Sequence, residues 1–267
     1  IDGVIVDWYG PDNYRDYALI NAATHKLFDA VSRAGLLFAI CYEDRGIGYR
    51  VSDGQIRPSR AVDHGSEVVE YLAAEWVGSP NYLVHDGRPV LFVFGNPPYF
   101  DAAEEWDAIF AGMTPRPLLV TEDDPVIGTE PARFAWPPMS RAAGGDLAPE
   151  ALESYLPSFY ASTVGDSYRV AAAFPGFHDI YAEAGVGVSY GYLDAADGVT
   201  LRHTLDLALA EDPDMVQLVT WNDYGEGTQI EPTCSLGYRY VEHLQQHTPA
   251  KAKYTAADLR LPVALYS

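Results

Sequence analysis

The stretch Trp221-Asn222-Asp223-Tyr224-Gly225-Glu226-Gly227-Thr228 sets two carboxylates three residues apart among an indole, a phenol and glycines, directly after the apolar run Met215 to Thr220. Cleavage of a glycosidic bond needs these groups: one carboxyl to protonate the departing oxygen, a second to activate or supply the nucleophile, and ring faces to hold a sugar. Spacing alone fits a pair of solvated loop acids equally well. The flanking Trp-Asn and Gly-Thr-Gln favour the chemical reading. On that reading Glu226 is the general acid/base, kept protonated by apolar surroundings or by the negative charge of Asp223. Asn222, Tyr224 and Gln229 are placed to orient the sugar.

Such groups act only where a scaffold converges them. Short β-branched or apolar runs recur near Gly3 to Trp8, Leu36 to Tyr42, Pro89 to Phe94, Pro117 to Thr121, Arg133 to Trp136, Arg169 to Phe174 and Met215 to Thr220. Between them the sequence predicts helices over Tyr17 to Ala34, Gly65 to Val77, Ala102 to Ala111, Pro149 to Thr163, Thr200 to Ala210 and Gly237 to His247. In the first, Ala18, Ala22, Leu27, Phe28 and Val31 form an approximate i, i+3/i+4 stripe, with Gly35 as the stop. This alternation is the pattern of parallel βαβ units. Seven strands opening abruptly on Ile1-Asp2-Gly3 predict a (β/α)8 barrel, a single domain over residues 1–267, whose first strand lies upstream of Ile1. The alternative, an open doubly wound sheet for a dinucleotide or nucleoside triphosphate, lacks a Gly-x-Gly-x-x-Gly or Walker A loop.

Barrels gather their chemistry at the carboxyl ends of the strands, and here those ends are loaded. Asp7, Trp8 and Tyr9 follow the first run, Tyr42, Glu43 and Asp44 the second, and Glu122, Asp123 and Asp124 the fourth. Trp136 closes the fifth, His178 and Asp179 come shortly after the sixth, and Trp221 opens the motif. Trp8, Trp136 and Trp221 are candidate platforms for pyranose faces, although Trp is highly buried on average. Glu43 either hydrogen-bonds a sugar hydroxyl or pairs with Arg45 or Arg50. The segment Arg45 to Asp63 lacks apolar periodicity and reads as a long functional or mobile loop.

With 267 residues, 48% of them hydrophobic, the chain can bury a full core. Its formal charge of -21, from 17 Lys and Arg against 38 Asp and Glu, disfavours nucleic acid and anionic membranes as partners and leaves a neutral glycan unaffected. No segment approaches the ~20 consecutive apolar residues of a bilayer span. The opening residues are not a signal peptide, and a secreted or periplasmic location is expected. Cys41 and Cys234 are too few for a disulfide scaffold and are expected as free thiols.

No metal or other cofactor is expected. Of the seven histidines only His178 is placed to reach a substrate, and in the i, i+4 pair His243 and His247 the residue after His243 is Leu244 rather than a Glu base. No Gly-x-Ser-x-Gly elbow is present, and none of the three lysines ends a predicted strand, so acyl transfer and Schiff-base chemistry are disfavoured.

At Trp221 to Pro232, WNDYGEGTQIEP, the chain resembles glycoside hydrolase families 71 and 99, endo-acting α-glycosidases on (β/α)8 barrels. Ile1 to Gly10 is similar to the second strand of those families, Asp86 to Phe94 to the fourth, and Pro175 to Asp179 to a loop after the seventh; Tyr42-Glu43 matches a segment that contributes a subsite acid. The resemblance implies that Glu226 is the acid/base and Asp223 its partner carboxylate. Family 99 has Glu at the partner position, where it helps the sugar's own 2-hydroxyl attack through a 1,2-anhydro intermediate. Family 71 has Asp-x-x-Glu and inverts with water. This chain combines the Asp of one with the Gly-Thr-Gln-Ile-Glu-Pro of the other, and Asp retracts the carboxylate by roughly 1.5 Å. A non-catalytic glycan-binding protein on a degenerate barrel is the competing expectation.

Overall fold

A computed structural model describes residues 1–123, 127, 130–247, 255 and 257–260; Asp124, one of the acids expected at a strand end, lies outside them. The chain forms two compact units, Ile1–Phe134 with Gly165–Arg169, and Ala135–Val164 with Val170–Ser267.

In the first unit, β1 (Gly3–Trp8) and β2 (Leu37–Tyr42) pair in parallel. The two-residue β3 (Val84–His85) pairs antiparallel with β4 (Arg88–Val93), which runs parallel to β2. Then β5 (Leu118–Glu122) and β6 (Ala132–Phe134) extend the parallel order. The strands alternate their side chains. Val4, Val6 and Trp8, then Phe38, Ile40 and Tyr42, then Leu91 and Val93, pack on one face against α1 (Tyr17–Arg33), α3 (Ala61–Leu72) and α4 (Ala103–Ile109). Asp7, Cys41, Phe92 and Val120 are aligned in register and so share the opposite face. One pleat further toward the carboxyl ends come Glu43 and Glu122, on that same face.

The buried stripe of α1 is Tyr17, Thr24, Phe28 and Val31. Leu27 is 42% exposed and Ala22 faces solvent, so the expected stripe was rotated. A threonine occupies a core position because its hydroxyl donates to the Ile20 carbonyl at 2.8 Å. The expected loop from Arg45 to Asp63 instead contains α2 (Arg45–Ser52), a 3-10 turn over Pro58–Arg60 and the start of α3. Two glycines and few apolar residues hide α2 in the sequence. They serve close packing: a Cβ on Gly48 would lie 2.8 Å from the Tyr99 ring.

In the second unit β7 (Tyr168–Ala173) and, beyond a short hairpin of β8 (Phe177–His178) and β9 (Tyr192–Leu193), β10 (Met215–Leu218) pair in parallel over Val170–Ala173. The helices α5 (Pro149–Ser162), α6 (Val199–Ala210) and α7 (Arg239–His247) stand close to their expected places. Leu152, Leu156, Phe159 and Tyr160 of α5 pack with Phe174, Phe177 and Val219, while Leu201 and Leu205 of α6 pack with Ile230 and with Tyr240 of α7. The β8–β9 hairpin is too short to leave a periodic signal. Gln217, 7% exposed within β10, is satisfied by donating to the Ala135 carbonyl at 2.7 Å. Among the described residues no helix is long and apolar enough to cross a membrane, and both cysteines are free, Cys41 buried and Cys234 exposed.

Arg133 of β6 grips Asp166 with two bonds, Nε to Oδ2 at 2.8 Å and Nη2 to Oδ1 at 3.0 Å, the side chains 8% and 3% exposed. Removing Asp166 takes a bidentate charge partner from a buried guanidinium. Asp166→Ala should therefore cost about 3–5 kcal/mol in urea unfolding, whereas Asp63→Ala, which removes an exposed partner of Arg60, should cost under ~1 kcal/mol.

Candidate active site

The motif after β10 forms a tight hydrogen-bonded loop. Thr220 and Thr228 close its neck, N–H to carbonyl at 3.0 Å and hydroxyl to hydroxyl at 2.8 Å, and Ile230 N–H donates back to the Thr220 carbonyl at 3.0 Å. Within it the Glu226 N–H donates to Asp223 Oδ1 at 2.9 Å. One oxygen of Asp223 thus shapes the turn, and Oδ2 has no hydrogen bond to the protein among the described residues. Glu226 is fixed from two sides. Its carbonyl accepts the His178 N–H at 2.8 Å, and its Oε1 accepts the Tyr181 hydroxyl at 3.0 Å. Gly227, at φ +65°, permits this approach; a Cβ there would sit 2.7 Å from the His178 carbonyl oxygen.

Burial, the charge of Glu226 and its hydrogen bond hold the Tyr181 phenol well above its ordinary pKa. Tyr181 therefore remains a donor at any working pH. Its place in an irregular segment between β8 and β9 left no sequence signal, and it is the chief site residue that sequence reasoning missed.

The second unit collects most of the expected site residues. Trp221 is 47% and Tyr224 53% exposed, both in the motif loop, with the Tyr224 hydroxyl donating to Glu231 at 2.5 Å. Asn222 is exposed, Trp136 is half-buried, and Gln229 holds a buried Oε1 without a hydrogen-bond partner. His178 is exposed, edge-on to Tyr192 at 5.4 Å between ring centroids. Together with Asp146, Glu183 and Ser189 these two line a cleft of about 140 Å³. Asp179 corrects the expectation of a sugar ligand. It is 3% exposed, and its carboxylate accepts from Tyr181 N–H, Ser189 Oγ and Tyr190 N–H at 3.2, 3.0 and 2.7 Å. It organises the loop that carries Tyr181.

In the first unit two further expectations are corrected. Trp8 is fully buried, stacked on Tyr71 and edge-on to Trp76, with its indole N–H donated to Asn21 at 3.0 Å; it is core rather than platform. Tyr42 is 1% exposed in the same core. Both side chains fall on the helix-facing side of their strands, which the two-residue period assigns once Asp7 and Glu43 face the other way. Asp7 is exposed and Tyr9 is half-buried, stacked on Tyr17 at 4.7 Å.

Glu43 is 9% exposed and, among the described residues, forms no ion pair with Arg45 or Arg50. Burial, then the charge of Asp7, drive its carboxyl well above the carboxylate range despite Arg45. Burial also pushes Glu122 up to about 7, against the Gly95 N–H that it accepts at 2.9 Å. Asp44, fully buried, is pushed up to about 6 although it accepts the N–H groups of Phe100 and Tyr99. The first unit thus presents partly protonated acids at the carboxyl ends of β2 and β5. Glu122 carried the sequence signal of a strand-end acid, but not of its burial.

His243 and His247 are turned to other partners, Arg202 at 3.3 Å and Asp206 at 3.3 Å. Among the described residues no group of three or more His, Cys, Asp or Glu is arranged to hold a metal ion.

No protein-family model matches the chain, and neither does any curated protein. Solved structures do. The GH99 endo-α-mannosidase from Bacteroides thetaiotaomicron in complex with bis-tris propane is similar at a TM-score of 0.62 and 15% identity over 94% of this chain and 80% of that one. A second structure of that enzyme gives 0.58 and 14%, over 96% and 76%. A glycoside hydrolase-like protein gives 0.66 and 12%, over 92% and 81%. At these identities the likeness establishes a shared α/β fold.

These strand-end acids set a sign for stability. Glu43, Glu122 and Asp44 all bind protons more tightly in the folded than in the unfolded chain, so their contribution is fully present below the unfolded values and is lost as pH rises through the folded ones. The urea midpoint should therefore fall as pH increases from about 4 through 7 and beyond, and Glu122→Gln should flatten the descent around pH 7.

Proposed function

We propose that this protein is a glycoside hydrolase on a (β/α)8 barrel, cleaving α-glycosidic bonds within a glycan by a carboxylate pair. The observation that carries the reading is the fixed Glu226: a partly buried carboxyl, tied through its carbonyl to β8 and through Oε1 to Tyr181, at the carboxyl end of a parallel strand, where such folds keep their chemistry. The structural likeness to GH99 endo-α-mannosidases and to a glycoside hydrolase-like protein supports it.

In this reading Glu226 protonates the leaving oxygen, and Asp223 acts through Oδ2 as base toward water or toward the substrate's 2-hydroxyl. The Glu226 N–H on Oδ1 fixes the direction of Asp223. Trp221 offers a half-exposed ring face, and His178 with Tyr192 borders the adjoining cleft.

The test is digestion of a panel of α-mannans and α-1,3-glucans, read as new reducing ends, with wild type and Glu226→Gln side by side. Wild type should release products from at least one substrate, and the variant should lose about 10²–10⁴-fold or more in turnover with an unchanged unfolding midpoint. Retained activity in Glu226→Gln removes that residue from the mechanism. A folded wild type inert on every substrate returns the chain to the glycan-binding alternative. The anomer released first, read by NMR, assigns Asp223 its role.

A further inference from the structure

Between Arg45 and Arg60 this acidic chain places four arginines, out of 17 lysines and arginines in all. Three of them, Arg50, Arg57 and Arg60, line a cleft of about 480 Å³ in the first unit with His64 and Ile56, the only acid in its lining being Glu67. The cleft is built by α2, by the turn that follows it and by the first turns of α3. Asp12, in the segment after β1, anchors it from the other side through an ion pair with Arg50 and through His64 Nε2 at 2.9 Å. These are the segments that leave the carboxyl ends of β1 and β2, where Asp7, Tyr9 and Glu43 also lie. Ligands of parallel α/β folds bind at that end.

The charges here are incompletely matched. Arg60 pairs with Asp63 at 2.6 Å and His64 meets Glu67 at 3.2 Å. Arg57 is exposed and has no acidic partner among the described residues. The Nε of Arg50 is buried and has no acceptor among the described residues, although its Nη1 is engaged by Asp12 and by His64 at 2.7 Å. A buried donor left unmade is costly, and a guanidinium is built to meet a planar or tetrahedral oxyanion. The field of a chain at -21 works against capture of a small free anion. An anion seated among these arginines therefore comes attached to a molecule held by other contacts as well.

We infer that this cleft binds the carboxylate or sulfate group of an acidic carbohydrate. The inference rests on the hydrolase reading for its carbohydrate, but not for its anion. The probes are inorganic sulfate, glucuronate and glucose at matched ionic strength, titrated into the Glu226→Gln protein while the arginine Nε–H resonances are followed by NMR. Glucuronate should shift the Arg50 and Arg57 resonances saturably, sulfate should bind more weakly and glucose not at all, and adding Arg57→Ala should weaken the glucuronate affinity about tenfold. Arg57 is exposed and unpaired, so this variant should fold normally. Shifts that do not saturate, an equal response to glucose, saturation by sulfate but not glucuronate, or an affinity unchanged by Arg57→Ala would each overturn the assignment. Anion binding alongside an inert wild type refutes only the hydrolase reading. Turnover without anion binding refutes only this one.

Discussion

The candidate site depends on how Glu226 is held. A glutamate on a glycine-flanked loop has several rotatable bonds and no inherent direction, so a carboxyl that is to point one way needs external restraint. Here the main chain is fastened by the His178 N–H and the side chain by the Tyr181 hydroxyl. The absence of a Cβ at Gly227 lets those two segments come together. Asp179 stands behind them, buried and spending its carboxylate on the loop that carries Tyr181. Remove that support and the acid loses its aim.

The first unit meets a different constraint. Glu43 and Glu122 emerge on the same sheet face as Asp7, with β4 between their strands, in a chain already at -21, and burial of the two glutamates makes their ionisation unfavourable. The outcome is a set of carboxyls in which some keep their protons near neutrality. A neutral carboxyl both donates and accepts, as a sugar hydroxyl does. Asp44 turns the same burial to structural use by tying the Tyr99–Phe100 segment to the end of β2.

Much of this architecture was legible in the sequence, because β-strand alternation and helical periodicity are strong wherever an element has one apolar face. The runs at Gly3–Trp8 and Met215–Leu218 stood out for that reason, and so did the acids that follow them. Trp8 shows where the reading fails. A strand-end tryptophan fits a platform as well as a core, and only the pleat, fixed by pairing with β2, decides which. The helix α2 was hidden because its glycines answer to Tyr17 and Tyr99, residues distant in sequence. Tyr181 and Asp179 belong to an irregular loop whose conformation comes from side-chain to backbone bonds, and no periodicity records those. The strand that leads into the WNDYGEGT loop was thus readable, whereas the residues that hold the loop in place were not.

The central claim is that Glu226 is the proton donor and that Tyr181 sets its ionisation, and the pH dependence of kcat/KM tests it most directly. The basic limb of that profile reports loss of the proton from the acid. The Tyr181 hydroxyl donates to the ionised carboxylate and favours that form, so Tyr181→Phe should raise the pKa of the acid and carry the basic limb upward by about one pH unit. A basic limb that stays in place, or moves to lower pH, would contradict the account.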